Sequence, residues 1–128
     1  MGLLDTLFGG SSEPSNEKTL PWQSLNNELQ LNEIKERSKT RMQLIFKHST
    51  RCGISRMVIN QFKASYDLDL NADLYYLDLL NNRNLSHKIA DRFEVKHESP
   101  QLLALKNGTV VAHASHNAIT DLDLNRFA

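Results

Sequence analysis

The sequence holds a single cysteine, Cys52, among its 128 residues. One thiol excludes an intramolecular disulfide framework and argues for a reducing compartment, so a cytoplasmic location is expected. It also excludes a self-contained dithiol cycle. Any redox chemistry must recruit a second thiol from another molecule. A charge excess is missing too, because 15 basic side chains balance 15 acidic ones. No Lys/Arg block occurs, and nothing recommends a nucleic-acid backbone as partner. No apolar stretch approaches the ~20 residues of a membrane span. A Walker-type loop and a dinucleotide glycine pattern are both absent, so no nucleotide cofactor is implied. There are no internal repeats.

What remains is ordinary for a globular chain, with 40% hydrophobic and 23% charged residues. The length suits one compact domain that buries a core without covalent staples. Residues 1–19 read as a flexible N-terminal segment and linker, polar and rich in Gly, Ser and Pro from Gly9 to Lys18. Met1-Gly2-Leu3-Leu4-Asp5-Thr6 matches the permissive N-myristoylation pattern. A short amphipathic turn that docks Leu4 and Phe8 is the favoured reading, and the segment lacks the features of a signal peptide. Residues 20–128 form the folded domain.

Hydrophobic spacing gives its elements. Leu31 and Ile34 among charged residues predict a short helix between Glu28 and Lys39. Met42 to Lys47 is a near-continuous apolar run that predicts a buried strand. After a polar loop, Ile54, Val58 and Phe62 recur at helical spacing, with Ser49 or Thr50 as the expected N-cap. Asp73 to Leu79 reads as a second strand, and Leu85, Ile89 and Phe93 as another helix. Asn107-Gly108 between Gln101–Lys106 and Thr109–Ser115 signals a hairpin. Thr120 should cap a final helix carrying Leu122, Leu124 and Phe127. Two strand–helix–strand connections and a hairpin predict an α/β fold, a mixed four-stranded sheet flanked by helices, with an extra N-terminal helix.

Cys52 falls where the first buried strand hands over to the second helix. Sites in such sheets lie outside the carboxyl ends of the parallel strands. The first helical turn offers free N–H groups and the positive end of the helix dipole. Both favour a thiolate, so Cys52 is expected to ionise below the ~8.5 of a free cysteine. Lys47, His48, Arg51 and Arg56 add nearby basic groups, although Lys47 and Arg56 read equally well as solvated surface. The bland alternative is a buried structural cysteine, but Thr50, Arg51, Gly53 and Ser55 beside it are not strongly apolar. Ser99-Pro100 precedes the hairpin, where proline commonly starts a strand.

A cysteine at the first strand–helix junction, with a proline before a late hairpin, resembles the thioredoxin superfamily. Phe46-Lys47-His48-Ser49-Thr50-Arg51-Cys52-Gly53-Ile54-Ser55 further resembles the motif of the bacillithiol-system, YtxJ-type monothiol bacilliredoxins. That family typically has proline where this chain has Gly53. The resemblance implies a thioredoxin-like fold and a thiol–disulfide oxidoreductase role that needs an external thiol or a partner reductase. Cys52 would take bacillithiol, a co-substrate rather than a resident cofactor, from thiolated client proteins. Ser55 stands where dithiol relatives carry the resolving cysteine. Ser99 and Pro100 would shape the groove beside the sulfur, and Arg51, Lys47 and Arg56 would meet the anionic malyl group.

Two other readings compete. Cys-Gly-Ile-Ser also resembles the Cys-Gly-Phe-Ser of monothiol glutaredoxins, which would imply a [2Fe–2S] cluster shared between subunits. The Gly-Gly-x-Asp-Asp segment of that family is absent, and Ser115-His116-Asn117-Ala118 stands in its place. A non-catalytic binding module that uses Cys52 as a redox-sensing handle is the third. His48, His113 and His116 are too generically spaced to predict a metal site beside one cysteine.

Overall fold

A computed structural model describes residues 19–128. The myristoylation pattern, the amphipathic turn and the polar linker lie outside the described residues. Strand β1 (Trp22–Ser24) precedes helix α1 (Leu29–Arg37), β2 (Met42–His48), α2 (Gly53–Ser65), β3 (Ala72–Asp78), α3 (Arg83–Phe93), β4 (Gln101–Lys106) and β5 (Thr109–Ser115). Two short 3₁₀ turns, His116–Asp121 and Leu124–Arg126, complete the chain.

The sheet has five strands in the order β1-β3-β2-β4-β5, not the four expected. The extra strand, β1, is too short for any alternation to show, and it pairs in parallel with β3 through Trp22↔Leu74 to Ser24↔Tyr76. β2 lies parallel to β3 and antiparallel to β4, with Lys47 opposite both Leu77 and Gln101. Every residue of β2 is buried. Helices cover both faces of this central strand, so its side chains alternate between two cores. Leu44 and Phe46 meet Val58, Phe62, Leu74, Leu102 and Ile119 on the α2 side. Ile45 meets Leu31, Ile34, Leu77, Ile89 and Leu103 on the side of α1 and α3. Phe46 is fully enclosed, with its ring centroid 6.0 Å from that of Trp22 and 5.1 Å from that of Phe62. Truncating such a side chain to alanine costs about 3–5 kcal/mol.

The hairpin forms where Asn107-Gly108 predicts it, with φ values of 54° and 82° at those residues. Paired positive φ angles suit the right-handed twist of the flanking strands. Its tip docks on the end of α1, where Gly108 N–H donates to Ser38 Oγ at 2.8 Å and Asn107 N–H to the Ser38 carbonyl at 2.8 Å.

The expected final helix is replaced by the two 3₁₀ turns. Thr120 Oγ1 bonds back to the Asn117 carbonyl at 2.9 Å instead of capping the next turn. Leu122 is extended, with φ −78° and ψ 119°, and breaks the helical path. Leu122, Leu124 and Phe127 still pack against the α2-side core. No helix among the described residues is long and apolar enough to cross a membrane.

Candidate functional site

β2 ends at His48, and the Leu79 N–H reaches the His48 carbonyl at 3.0 Å, just beyond the β2–β3 ladder. A tight turn comes next, closed by Cys52 N–H donating to the Ser49 carbonyl at 3.1 Å. Cys52 itself is the N-cap of α2, with φ −93° and ψ 122°, and its carbonyl accepts the Arg56 N–H at 3.0 Å. The expected caps, Ser49 and Thr50, lie too early in the chain. The turn through Ser49 delays the helix until Gly53.

The Cys52 side chain makes no capping hydrogen bond and is half-buried. Arg56 makes the first bond of the helix, so the Gly53, Ile54 and Ser55 amides lie ahead of it at the positive end of the dipole. No acidic residue occupies this first turn. The sulfur is thus partly exposed, free of a capping bond, and set at the positive end of the helix.

Ser55, three residues on, does something the sequence does not announce. Its side chain is fully buried. Ser55 Oγ accepts the Ser49 N–H at 3.1 Å and lies 2.7 Å from His48 Nδ1. This latch ties the end of β2, the turn and the first turn of α2 together. His48 is buried and packs on Tyr76, at 5.7 Å between ring centroids. Burial holds its pKa below the ordinary histidine value, Lys63 and Arg56 adding to the effect and Asp78 opposing it. His48 is therefore neutral at pH 7, and not one of the positive charges expected around Cys52.

Lys47 needs a larger correction. It is 0% exposed and points to the opposite side of the sheet from His48, toward α3. Its Nζ lies 3.4 Å from the Ser86 carbonyl and 3.4 Å from His97 Nδ1. A central strand covered on both faces has no room for a surface cation. Lys47 is neither a solvated side chain nor a group offered to a ligand.

Arg51 and Arg56 are exposed, as are Ile54 (54%) and Met57 (48%) on the first turns of α2. Gly53 is exposed as well, and a Cβ built on it would meet nothing within 4 Å. The Ser99–Pro100 peptide bond is cis. The β2–β4 ladder ends at Lys47↔Gln101, so Ser99-Pro100 comes immediately before β4 at the edge where β2 runs out into His48 and the turn. Ser99 is half-buried and Pro100 buried. Arg51, Cys52 and Gly53 thus follow the end of β2, and Ser99 and Pro100 precede β4, at the same edge of the sheet, while Ser55 lies under the turn that leads to Cys52.

Among the described residues, no group of three or more His, Cys, Asp or Glu side chains is placed to hold a metal ion.

A family model described as "Monothiol bacilliredoxin BrxC" matches residues 23–124. Among solved structures, a protein with a thioredoxin fold, named as a candidate oxidoreductase, is 32% identical. That match covers 83% of this chain and 92% of the other, with a TM-score of 0.70. Thioredoxin from Schistosoma mansoni is 19% identical over 84% of this chain and 95% of its own, with a TM-score of 0.64. A single-site mutant of thioredoxin from Halobacterium salinarum is 18% identical over 84% and 94%, with a TM-score of 0.58. The last two likenesses speak to the fold alone.

Proposed function

Since the chain belongs to the monothiol bacilliredoxin family and has the thioredoxin fold, we propose that Cys52 takes bacillithiol from modified client proteins as a mixed disulfide. The observation that supports this reading is a half-buried sulfur seated on the N-terminus of α2 whose side chain makes no capping hydrogen bond.

The Cys52 thiolate attacks the bacillithiol sulfur of the client's mixed disulfide. The client–bacillithiol S–S bond breaks, its electron pair leaves with the client sulfur, and that thiolate takes a proton from water. The Cys52–bacillithiol disulfide that forms holds the oxidising equivalent. This chain has no second cysteine to resolve it. An external thiol, or the dithiol of a reductase, attacks the bacillithiol sulfur, carries it off as a disulfide and returns the Cys52 thiolate. Ser55 cannot take that role, being a hydroxyl already engaged with His48 and Ser49.

Ser99 and Pro100 would wall the groove beside the sulfur, where the Ser99 backbone could bond the bound thiol. Arg51 and Arg56 would meet the malyl carboxylates, since guanidinium groups pair well with planar anions. Lys47 is enclosed in the sheet and has no part in that contact.

Incubation with oxidised bacillithiol and intact-mass spectrometry test the reading. One bacillithiol should add to the wild-type protein and none to Cys52→Ser. Absence of the wild-type adduct at neutral pH would overturn it.

A further inference from the structure

On the face covered by α1 and α3, β2 and β4 present Ile45, Leu103 and Leu105, and then two polar side chains at the carboxyl edge. Lys47 and its cross-strand neighbour Gln101 are 0% and 1% exposed. No carboxylate pairs with Lys47 among the described residues. Its ammonium faces only neutral acceptors, the Ser86 carbonyl and His97 Nδ1, each at 3.4 Å. Ser86 Oγ lies 2.9 Å from the same Nδ1. Gln101 Nε2 donates to the Lys96 carbonyl at 2.9 Å, while Gln101 Oε1 finds no partner among the described residues. Enclosing a cation without an anion is costly, and burial pushes Lys47 down to about 8.

These contacts fasten one stretch of chain. Lys96 is held by Gln101, His97 by Ser86 and Lys47, and the Pro100 carbonyl by the His116 N–H at 2.9 Å. The stretch ends in Ser99-Pro100, immediately before Gln101, whose ladder partner Lys47 lies two residues before the Ser49–Cys52 turn. We propose that Lys47 and His97 are positioning residues, a proton-sensitive clamp on residues 96–100, and that thiol exchange at Cys52 slows when His97 takes up a proton. The proposal rests on the exchange reading above.

Neutral His97 offers its Nδ1 lone pair to the Ser86 hydroxyl and the Lys47 ammonium. Protonation places an N–H where that lone pair was, against a cation with no anion between them. Two like charges in contact, one of them fully enclosed, repel. The half-buried ring can relieve the repulsion by swinging outward, and it would carry its own segment along. Other charges face His97 as well. His87, with its ring centroid 5.1 Å away, and Arg83 approach from α3, and Glu98 flanks it in sequence. Burial, Lys47, His87 and Arg83 all hold the His97 pKa below the ordinary 6.5, with Glu98 opposing. The clamp therefore loosens on the acid side of that value and is closed at neutral pH.

Hydroxyethyl disulfide, a neutral probe containing no bacillithiol, separates this device from the identity of the natural thiol. Its reaction rate with Cys52 is measured between about pH 5 and pH 8 and divided by the thiolate fraction read from ultraviolet absorbance. The wild-type rate per thiolate should fall by about threefold or more below pH 6.5, and that of His97→Asn should stay flat. In Lys47→Met the inflection should move upward, toward the ordinary histidine value. In parallel, the Ser99 amide resonance should follow the His97 ring titration in the wild type and lose that pH dependence in His97→Asn. Superimposable rate profiles for wild type and His97→Asn would overturn the clamp, as would a Ser99 resonance indifferent to His97 titration. If hydroxyethyl disulfide fails to react at all, the exchange reading falls, and the Ser99 resonance still decides whether the clamp exists.

Discussion

The Oγ of Ser55 sits 2.7 Å from Nδ1 of His48, inside the protein and directly under the turn that presents Cys52. The position that would resolve a disulfide in a dithiol relative here holds the site's scaffold together. Ser55 also accepts the Ser49 N–H, so one hydroxyl fixes both the strand end and the turn.

Removing that hydroxyl takes a partner from the buried His48 Nδ1 and from the half-buried Ser49 N–H. Ser55→Ala should lower stability by about 1–3 kcal/mol, read as a lower urea midpoint with an unchanged slope. A stability equal to wild type would show that the latch contributes nothing net.

Ser55→Cys should convert the chain to a self-resolving protein. The introduced thiol would attack Cys52 in the bacillithiol adduct, forming an internal disulfide with it and releasing the bound thiol. Mass spectrometry should then find the oxidised protein in place of the adduct. A persistent adduct would mean that the buried position cannot reach the sulfur.

Lys47→Met should stabilise the fold by about 1–3 kcal/mol at pH 7, because it removes an enclosed cation that has no anion. The folded-state value of about 8 lies below the ordinary 10.5. The contribution from Lys47 is thus fully present only above 10.5 and is lost as pH falls through 8. The gap between variant and wild type should therefore narrow as pH rises from 8 toward 10.5. Tyr66, Tyr75 and Tyr76, raised chiefly by burial, titrate in both proteins and drop out of that difference. Parallel urea melts across this range are the check, and a constant gap would refute the assignment.

Gly53→Pro should be tolerated. Gly53 is the first residue of α2, no atom lies within 4 Å of its would-be Cβ, and Cys52 has the extended ψ of 122° that a following proline prefers. A gain of about 0.4–1 kcal/mol is expected from restricting the unfolded chain. Exchange with hydroxyethyl disulfide should stay within a few-fold of wild type. A large loss would assign the Gly53 amide a direct part in holding the thiolate.

The sequence makes some of this plain and hides the rest for physical reasons. Asn107-Gly108 needs only local φ preferences, and the hairpin forms there. Val58 and Phe62 mark the buried stripe of α2, whereas Ile54, in register with them, is 54% exposed because the helix begins at the open edge beside Cys52. β1 spans only Trp22–Ser24, and a short edge strand declares itself only through its partner, β3. Leu122 interrupts the C-terminal segment through a tertiary path that apolar spacing does not encode. Cys52 is legible because a strand-to-helix junction can be read locally. Lys47 and His48 mislead because their polarity outweighs their place in a doubly covered strand. The latch between His48 and Ser55 depends on how β2 and α2 meet, which composition does not show.

The most direct trial of the proposed transfer uses a client protein carrying bacillithiol on one cysteine, mixed with equimolar protein and monitored by intact-mass spectrometry. The client should lose one bacillithiol as this chain gains one, and Cys52→Ser should leave the client unchanged. A client that keeps its bacillithiol, or that ends up joined to Cys52 with bacillithiol set free, would contradict the transfer.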